Sequence, residues 1–534
     1  MIRSLGLFLL VAAVIGLAWR SLGTPVLIPA PPGASTKLTC MSYAPFHGEQ
    51  APFSPHLHIP DRQIDKDLER LAQTTGCIRT YSARGAHGRV AAYAAKHGLA
   101  VMQGIWLNRN RAENRREIEA ALRLVRRHPG TIKALIVGNE VLLRGELSLA
   151  GVKSYLEEVG RRSALPVTYA DVWEFWLKAR ALAPATDFVT VHILPYWEDK
   201  PVAAADAVQH VRDVIGKAAA AFPGKEIWVG EVGWPSRGRM REGALPSPVN
   251  QARFVGGLTA AAAAENWNFN LVEAFDQPWK RALEGTVGGY WGVYDGVHRG
   301  PKFRLGEPLS NHPDWLLKAA LGVGAAFLVF LSFWLGRRIA KRKPEWPGDL
   351  ACAAIALPSG LLFGLAVTNL PIEGEIPPDR LRGALMAVLA LVVPMAAAFA
   401  LARGDRLEGF ARALHPLSWK HGSRVEVVLA LLLAATFVAA MHVALGLVFD
   451  PRYKDFPFAV LIGPVTAFAI LAFMQRKPAP PKPGAAEIVA ALLLAGAALF
   501  IAVNETIANW QALLLAGLLL LLAATCWRAP AAPG

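Results

Sequence analysis

Between residues 38 and 275 short apolar runs rich in β-branched residues alternate with longer segments whose apolar positions recur at helical spacing. The short runs are LTCMSYA (38–44), CIRTYS (77–82), LAVMQGIW (99–106), IKALIVGNE (132–140), LPVTYA (165–170), DFVTVHIL (187–194), EIWVGE (226–231) and FNLVEAF (269–275). The longer ones, such as AENRREIEAALRLVRR (112–127) and SPVNQARFVGGLTAAAAAE (247–265), carry apolar residues every third or fourth position between polar flanks. Eight strand–helix units in one uninterrupted stretch predict an α/β fold, the (β/α)8 TIM barrel, whose active sites gather at the carboxyl ends of the strands.

After Pro313 the pattern changes. Seven apolar runs follow, at roughly 315–336, 350–370, 383–402, 425–449, 458–474, 486–503 and 511–527, each near the ~20 residues that span a bilayer core. An eighth lies at the N-terminus, where Arg3 precedes an apolar run ending at Trp19. No small-x-small site follows it convincingly, so a retained anchor is expected over a cleaved signal peptide. The chain therefore divides into an N-terminal membrane anchor (1–20), an extracytoplasmic barrel (21–314) and a C-terminal all-α polytopic membrane region of about seven transmembrane helices (315–534).

The formal charge of +15 changes this picture only through its distribution. Beyond residue 314 there are 19 Lys and Arg against 12 Asp and Glu, an excess of 7 and so about half of the total. Of those 19 bases, 14 fall in the loops 337–348, 403–424 and 475–485 and in the tail, which alternate as eight crossings require. The positive-inside rule then puts both termini in the cytoplasm of a multi-pass inner-membrane protein and the barrel on the periplasmic side. Because the lipid bilayer accounts for the basic excess, nucleic acid is not expected as a partner. Cys352 and Cys526 lie within spans; Cys40 and Cys77 lie in the exported segment, where a bridge between them and two buried free thiols fit the pattern equally.

Two carboxylates stand where apolar runs end, Glu140 in IVGNEV (136–141) and Glu231 in IWVGEVGWPS (227–236). Either alone reads equally well as a solvated loop residue. At the ends of the fourth and seventh strands, however, they face one barrel mouth, and paired carboxylates are the minimum equipment of glycoside hydrolysis: one protonates the leaving oxygen, the other attacks or activates water.

GNEV (138–141), GEVGWPSRG (230–238), VEAFDQPWK (272–280) and RTYS (79–82), with the region of Tyr196, resemble the signatures of glycoside hydrolase family 17, the β-1,3-glucanase and β-1,3-glucanosyltransferase family, here in a bacterial membrane-anchored form. The likeness covers about 38–300. It implies a retaining mechanism on β-linked glucan with Glu140 as acid/base and Glu231 as nucleophile, and a hydrogen bond from Asn139 to the sugar 2-hydroxyl. In such a site the carboxyls stand ~5–5.5 Å apart and their repulsion raises one pKa of the pair. Tyr196, ending the sixth strand, holds the nucleophile, lines the first donor subsite or packs in the barrel. Tyr81, Trp234, Trp279, Trp291 and Tyr294 supply flat faces for sugar rings, about half of them expected to touch substrate. One position departs from the family pattern: Gln277 follows Phe275 and Asp276 where many relatives carry a carboxylate, with Lys280 in the expected place and Glu273 able to supply some of the missing charge.

No Walker loop, HExxH, CxxC or GxSxG motif is present, and His47, His56 and His58 sit among prolines as a loop would, so neither a metal nor a cofactor is expected. Few ionisable groups enter the spans (His442, Glu426 and Glu487), which favours an anchor that docks partners over a glucan conduit. The expected activity is cleavage of β-1,3-glucosidic linkages in a glucan polysaccharide or oligosaccharide and transfer of the chain to a glucan acceptor, next to a separate glucan synthase. The alternatives are a plain β-1,3-glucan hydrolase and a non-catalytic polysaccharide-binding sensor or scaffold coupled to glucan export.

Overall fold

Polar residues at the starts of the longer segments set the helix boundaries of the barrel. Asn110 accepts from the backbone N–H groups of Ala112 and Glu113 to cap Arg111–Arg127, Ser148 caps Leu149–Arg162, and Ser247 with Pro248 behind it opens Pro248–Glu265, which Asn266 ends in a left-handed conformation. The computed structural model describes residues 2–30, 38–54, 56–374, 377–410, 423–475 and 484–529. It divides into two units, Val26–Leu309 and Met1–Pro25 with Ser310–Gly534. The N-terminal segment therefore groups with the C-terminal helices.

In the first unit eight parallel strands among the described residues close a barrel: β1 (Cys40–Ser42), β2 (Cys77–Arg79), β3 (Ala100–Ile105), β4 (Ile132–Asn139), β5 (Val167–Val172), β6 (Val189–His192), β7 (Ile227–Val232) and β8 (Asn268–Leu271). Each lies within or overlaps a run expected from the sequence. Helices cover the outside, with Ile64, Leu68 and Leu71 of Asp61–Leu71 fully buried at helical spacing; Leu68→Ala would cost about 2–5 kcal/mol through the cavity it leaves. Alternate strand residues face the interior. At its floor Cys40, Met102, Ala134, Ile136, Ala170 and Phe188 form an apolar cluster, and Cys40 and Cys77 are disulfide-bonded across β1 and β2. Higher up the interior turns polar: Thr168 and Thr190 share a hydrogen bond of 2.9 Å, and the Asn270 amide donates to Ser42 Oγ (2.6 Å) and the Gly230 carbonyl (2.8 Å).

The second unit contains eight helices among the described residues: Ile2–Leu22, Trp315–Ile339, Trp346–Glu373, Pro377–Arg403, Arg424–Phe449, Phe458–Met474, Ala485–Glu505 and Trp510–Arg528. Seven are long and apolar enough to cross a membrane, and Phe458–Met474 is a shorter apolar helix of 17 residues. Their outward faces are apolar as well, with Leu17, Val438, Leu499 and Val503 all well exposed, the composition of helices solvated by lipid rather than water. Parts of the basic loops 403–424 and 475–485, and the end of the tail, lie outside the described residues.

Candidate active site

Strict alternation along β7 would turn Gly230 into the barrel and Glu231 out towards the helices. A register irregularity prevents this: Val191 pairs with Val229, but the next residue of β6, His192, pairs with Glu231. The extra residue in β7 acts as a β-bulge and turns the Glu231 side chain inwards. A similar shift lies in β4, where Ile136 pairs with Thr168 and Asn139 with Ala170. Gly138 adopts φ 90° at this point and Glu140 follows at φ 51°. Glycine takes such angles freely, and a non-glycine residue held there marks a position fixed by its surroundings.

The two glutamates converge with His192. Glu140 Oε1 lies 3.0 Å from His192 Nδ1, and Glu231 Oε1 lies 4.0 Å from His192 Nε2. One carboxylate oxygen of each glutamate and a ring nitrogen fall within 4.8 Å of one another. Gly230 makes room chiefly for Thr190: a Cβ there would stand 2.4 Å from Thr190 Cγ2 and 3.0 Å from His192 Cδ2.

Arg79, buried at the end of β2, joins three partners: its guanidinium donates to Glu231 Oε1 (2.8 Å), to the Gly230 carbonyl (2.9 Å) and to Asn139 Oδ1. Asn139 is thus oriented by the same cation that holds Glu231. Burial works against the charge of Glu231, but His192, Arg79 and Lys280, with Tyr81 beside it, outweigh burial and hold the carboxyl below the usual range. The phenol nearest in influence to Glu231 is that of Tyr81. Tyr196, offered that task by the sequence, donates instead to the Arg239 carbonyl (2.9 Å). Lys280 Nζ meets both oxygens of the buried Glu273 (3.1 and 3.0 Å), whose pKa burial pushes up to about 7.

The aromatic residues separate into two groups. Trp279 is half-buried at the rim, its indole N–H on Gln277 Oε1 (2.8 Å) and its ring edge-on to Phe46 and Phe53, and Tyr81 lies beside Glu231. The other three make contacts of a different kind. Trp234 is buried against Phe254 with its N–H on the Leu245 carbonyl. Trp291 is buried edge-on to Tyr196. Tyr294 turns to Thr74 and lines a side cavity with Leu38 and Arg70 at the amino-terminal end of β1 and β2. Gln277 is buried and donates towards the Ala44 and Phe275 carbonyls, so it ties the first and last loops together.

The sequence assigns no role to Arg79 or His192, although Arg79 opens RTYS (79–82); both fall inside the expected runs, and the observed strands, which end at Arg79 and His192, place them at the barrel mouth. Glu284, also unmarked, senses Lys280, Glu140 and Glu231, and burial raises its pKa. Glu140, His192 and Glu231 have donors close enough to hold a cation, but the positive charge beside Glu231 is already supplied by Arg79. A carboxylate fixed in its charged form opposite a second, more exposed one is equipped for acid/base and nucleophilic chemistry on a neutral sugar.

Residues 40–292 match the BtgE/BtgC glycoside hydrolase domain family. The chain is 29% identical over 259 residues to a glucan 1,3-beta-glucosidase of Candida albicans, covering 43% of this chain and 82% of that one. It is 25% identical over 260 residues to the glucan 1,3-beta-glucosidase of Saccharomyces cerevisiae, covering 43% and 80%. Among solved structures it is similar to the glycoside hydrolase family 17 beta-1,3-glucanosyltransferase from Rhizomucor miehei, at 22% identity and a TM-score of 0.44 over 51% of this chain and 97% of that one.

Proposed function

Because its barrel is a glycoside hydrolase domain of family 17, we propose that the protein is a membrane-held retaining enzyme that cleaves β-1,3-glucan with Glu231 as nucleophile and Glu140 as acid/base, and passes the glycosyl chain to a glucan acceptor at the outer face of the membrane. The approach of one oxygen of Glu140 to one oxygen of Glu231 within 4.8 Å, too close to admit the water of an inverting site between them, carries this reading. Retaining sites hold their carboxyls ~5–5.5 Å apart, whereas inverting sites need ~6.5–9.5 Å to admit a water.

Each residue then has a task. Arg79 and Tyr81 keep Glu231 charged and aimed, so it attacks the anomeric carbon while Glu140 gives its proton to the departing oxygen. Glu231 becomes an ester, and Glu140, now ionised, deprotonates the incoming acceptor. Asn139, fixed by Arg79, is placed for the sugar 2-hydroxyl. Trp279 with Phe46 and Phe53 gives a hydrophobic rim on which glucan can compete with water for the intermediate. The relatives named glucan 1,3-beta-glucosidase favour plain hydrolysis as the second reading, since both outcomes use the same ester.

Azide tests the assignment in the full-length protein. With an activated β-glucoside donor, Glu231→Ala should be nearly inactive until azide restores turnover with an α-glycosyl azide as product. Glu140→Ala should yield the β-azide, because azide there consumes the ester formed on Glu231. Interchanged anomers would reverse the two roles, and wild-type rates in both variants would end the reading. The product ladder from laminari-oligosaccharides separates the outcomes: chains longer than the substrate mean transfer, and shortened chains alone at every concentration mean hydrolysis.

A further inference from the structure

His192 is buried at the end of β6 with one ring nitrogen towards each glutamate. Its Nδ1 is at hydrogen-bond distance from Glu140 Oε1, 3.0 Å. Its Nε2 has no hydrogen-bond partner among the described residues and faces Glu231 Oε1 at 4.0 Å. The charged and titratable groups around the ring are Glu140 after β4, Asp171 on β5 and Glu231 on β7, with Arg79 from β2 behind Glu231. A neutral imidazole carries one hydrogen, and which nitrogen holds it follows from the neighbours. A hydrogen on Nε2 points its dipole at the Glu231 carboxylate; a lone pair there would face negative charge in a buried site. The hydrogen therefore belongs on Nε2, which leaves Nδ1 as an acceptor for the Glu140 hydroxyl.

We propose that His192 is a positioning residue that couples the two carboxylates: turned by the charge on Glu231, its ring holds protonated Glu140 in the orientation from which it protonates the leaving oxygen. The proposal rests on the acid/base and nucleophile assignment above. Gly230 lies against the same ring: a Cβ there would come within 2.4 Å of Thr190 Cγ2 and 3.0 Å of His192 Cδ2.

The test uses full-length protein and kcat/KM, which reports glycosylation, on two donors. Laminari-oligosaccharides need a proton on the leaving oxygen, and a dinitrophenyl β-glucoside does not. His192→Phe should lose about thirtyfold or more on the oligosaccharide and less than about threefold on the aryl donor, while its melting profile stays that of the parent. Asparagine places an amide near the Nδ1 position, so His192→Asn should recover the oligosaccharide rate to within about fivefold. Glutamine places it near Nε2, and His192→Gln should behave like His192→Phe; the two amide variants decide the matter if the phenylalanine one does not fold. Equal losses on both donors, or no loss on either, would overturn the proposal and leave His192 a packing residue. Glu140→Ala is the separate control: if it too lacks the split between donors, the acid/base assignment has failed rather than the role of His192.

Discussion

Lys280 stands between two carboxylates that it treats differently. For Glu231 it joins His192 and Arg79 in outweighing burial and keeping the group charged. For Glu273 burial wins, and the carboxyl rises to about 7 although the ammonium lies 3.0 Å away. Lys280→Met should therefore move the acidic limb of the activity profile on laminari-oligosaccharides upwards by roughly half a pH unit, since Glu231 loses one charge that held its pKa down. The same substitution leaves Glu273 buried without its partner, at a cost of about 3 kcal/mol near pH 8. A carboxyl with a raised folded pKa contributes stability that is whole below its unfolded value near ~4.3 and is lost as pH climbs through the folded one. Melting of the variant against the parent should therefore show a smaller deficit at pH 5 than at pH 8. An equal deficit at both would mean that Glu273 does not titrate in this window.

At the scale of the element, the eight strands were legible because each is a compact apolar run bounded by helix caps. The placement of Glu140 and Glu231 at the ends of strands four and seven follows from counting them. What the pattern could not display was the pair of bulges, because a bulge is a property of two paired strands, and only the pairing of Glu231 with His192 reveals it. The aromatic residues were ambiguous for a similar reason. A tryptophan at a strand end reads alike whether it turns to the mouth, as Trp279 does, or to the helices, as Trp234 does. The cysteines were left open by the sequence because pairing needs proximity, which β1 lying beside β2 provides. The bridge closes a loop of 37 residues and should stabilise the barrel by about 2–4 kcal/mol, mostly by restricting the unfolded chain. Replacing both cysteines by alanine should lower Tm by roughly 5–10 °C. Treatment of the unfolded parent with a thiol reductant should bring its refolded Tm to the same value, and an unchanged Tm in the double variant would mean that the bridge contributes nothing.

For the whole molecule, the order of the helices and the positions of their charges make one claim, the side on which the barrel works. The helix Ile2–Leu22 begins beside the basic loop: Ser4 Oγ donates to Asp349 (2.8 Å), which Arg337 also holds (2.9 Å). Its other end meets the far side of the bundle, where the Trp19 indole donates to the Leu361 carbonyl and Ser310 Oγ to the Gly23 carbonyl (2.8 Å). The two chain segments that continue into the barrel, after Pro25 and before Ser310, therefore leave from the end opposite RRIAKRK (337–343). Lys and Arg near helix ends stay in the cytoplasm, so the barrel is proposed to face outwards, where extracellular or periplasmic glucan is within reach. Reporter fusions after residues 312, 453 and 507 should score as external and those after 342 and 405 as cytoplasmic. The helix Phe458–Met474 is the decisive crossing, because its 17 residues extend about 26 Å and match the ~30 Å hydrocarbon core only if it stands nearly upright. If it crosses, 453 and 507 report the same side, with one further crossing between them. If it does not, 507 turns cytoplasmic while 312 and 453 stay outside, which changes the membrane topology but not the side of the barrel. A cytoplasmic signal at 312 is the result that would place the catalytic unit inside the cell and end the outward-facing reading.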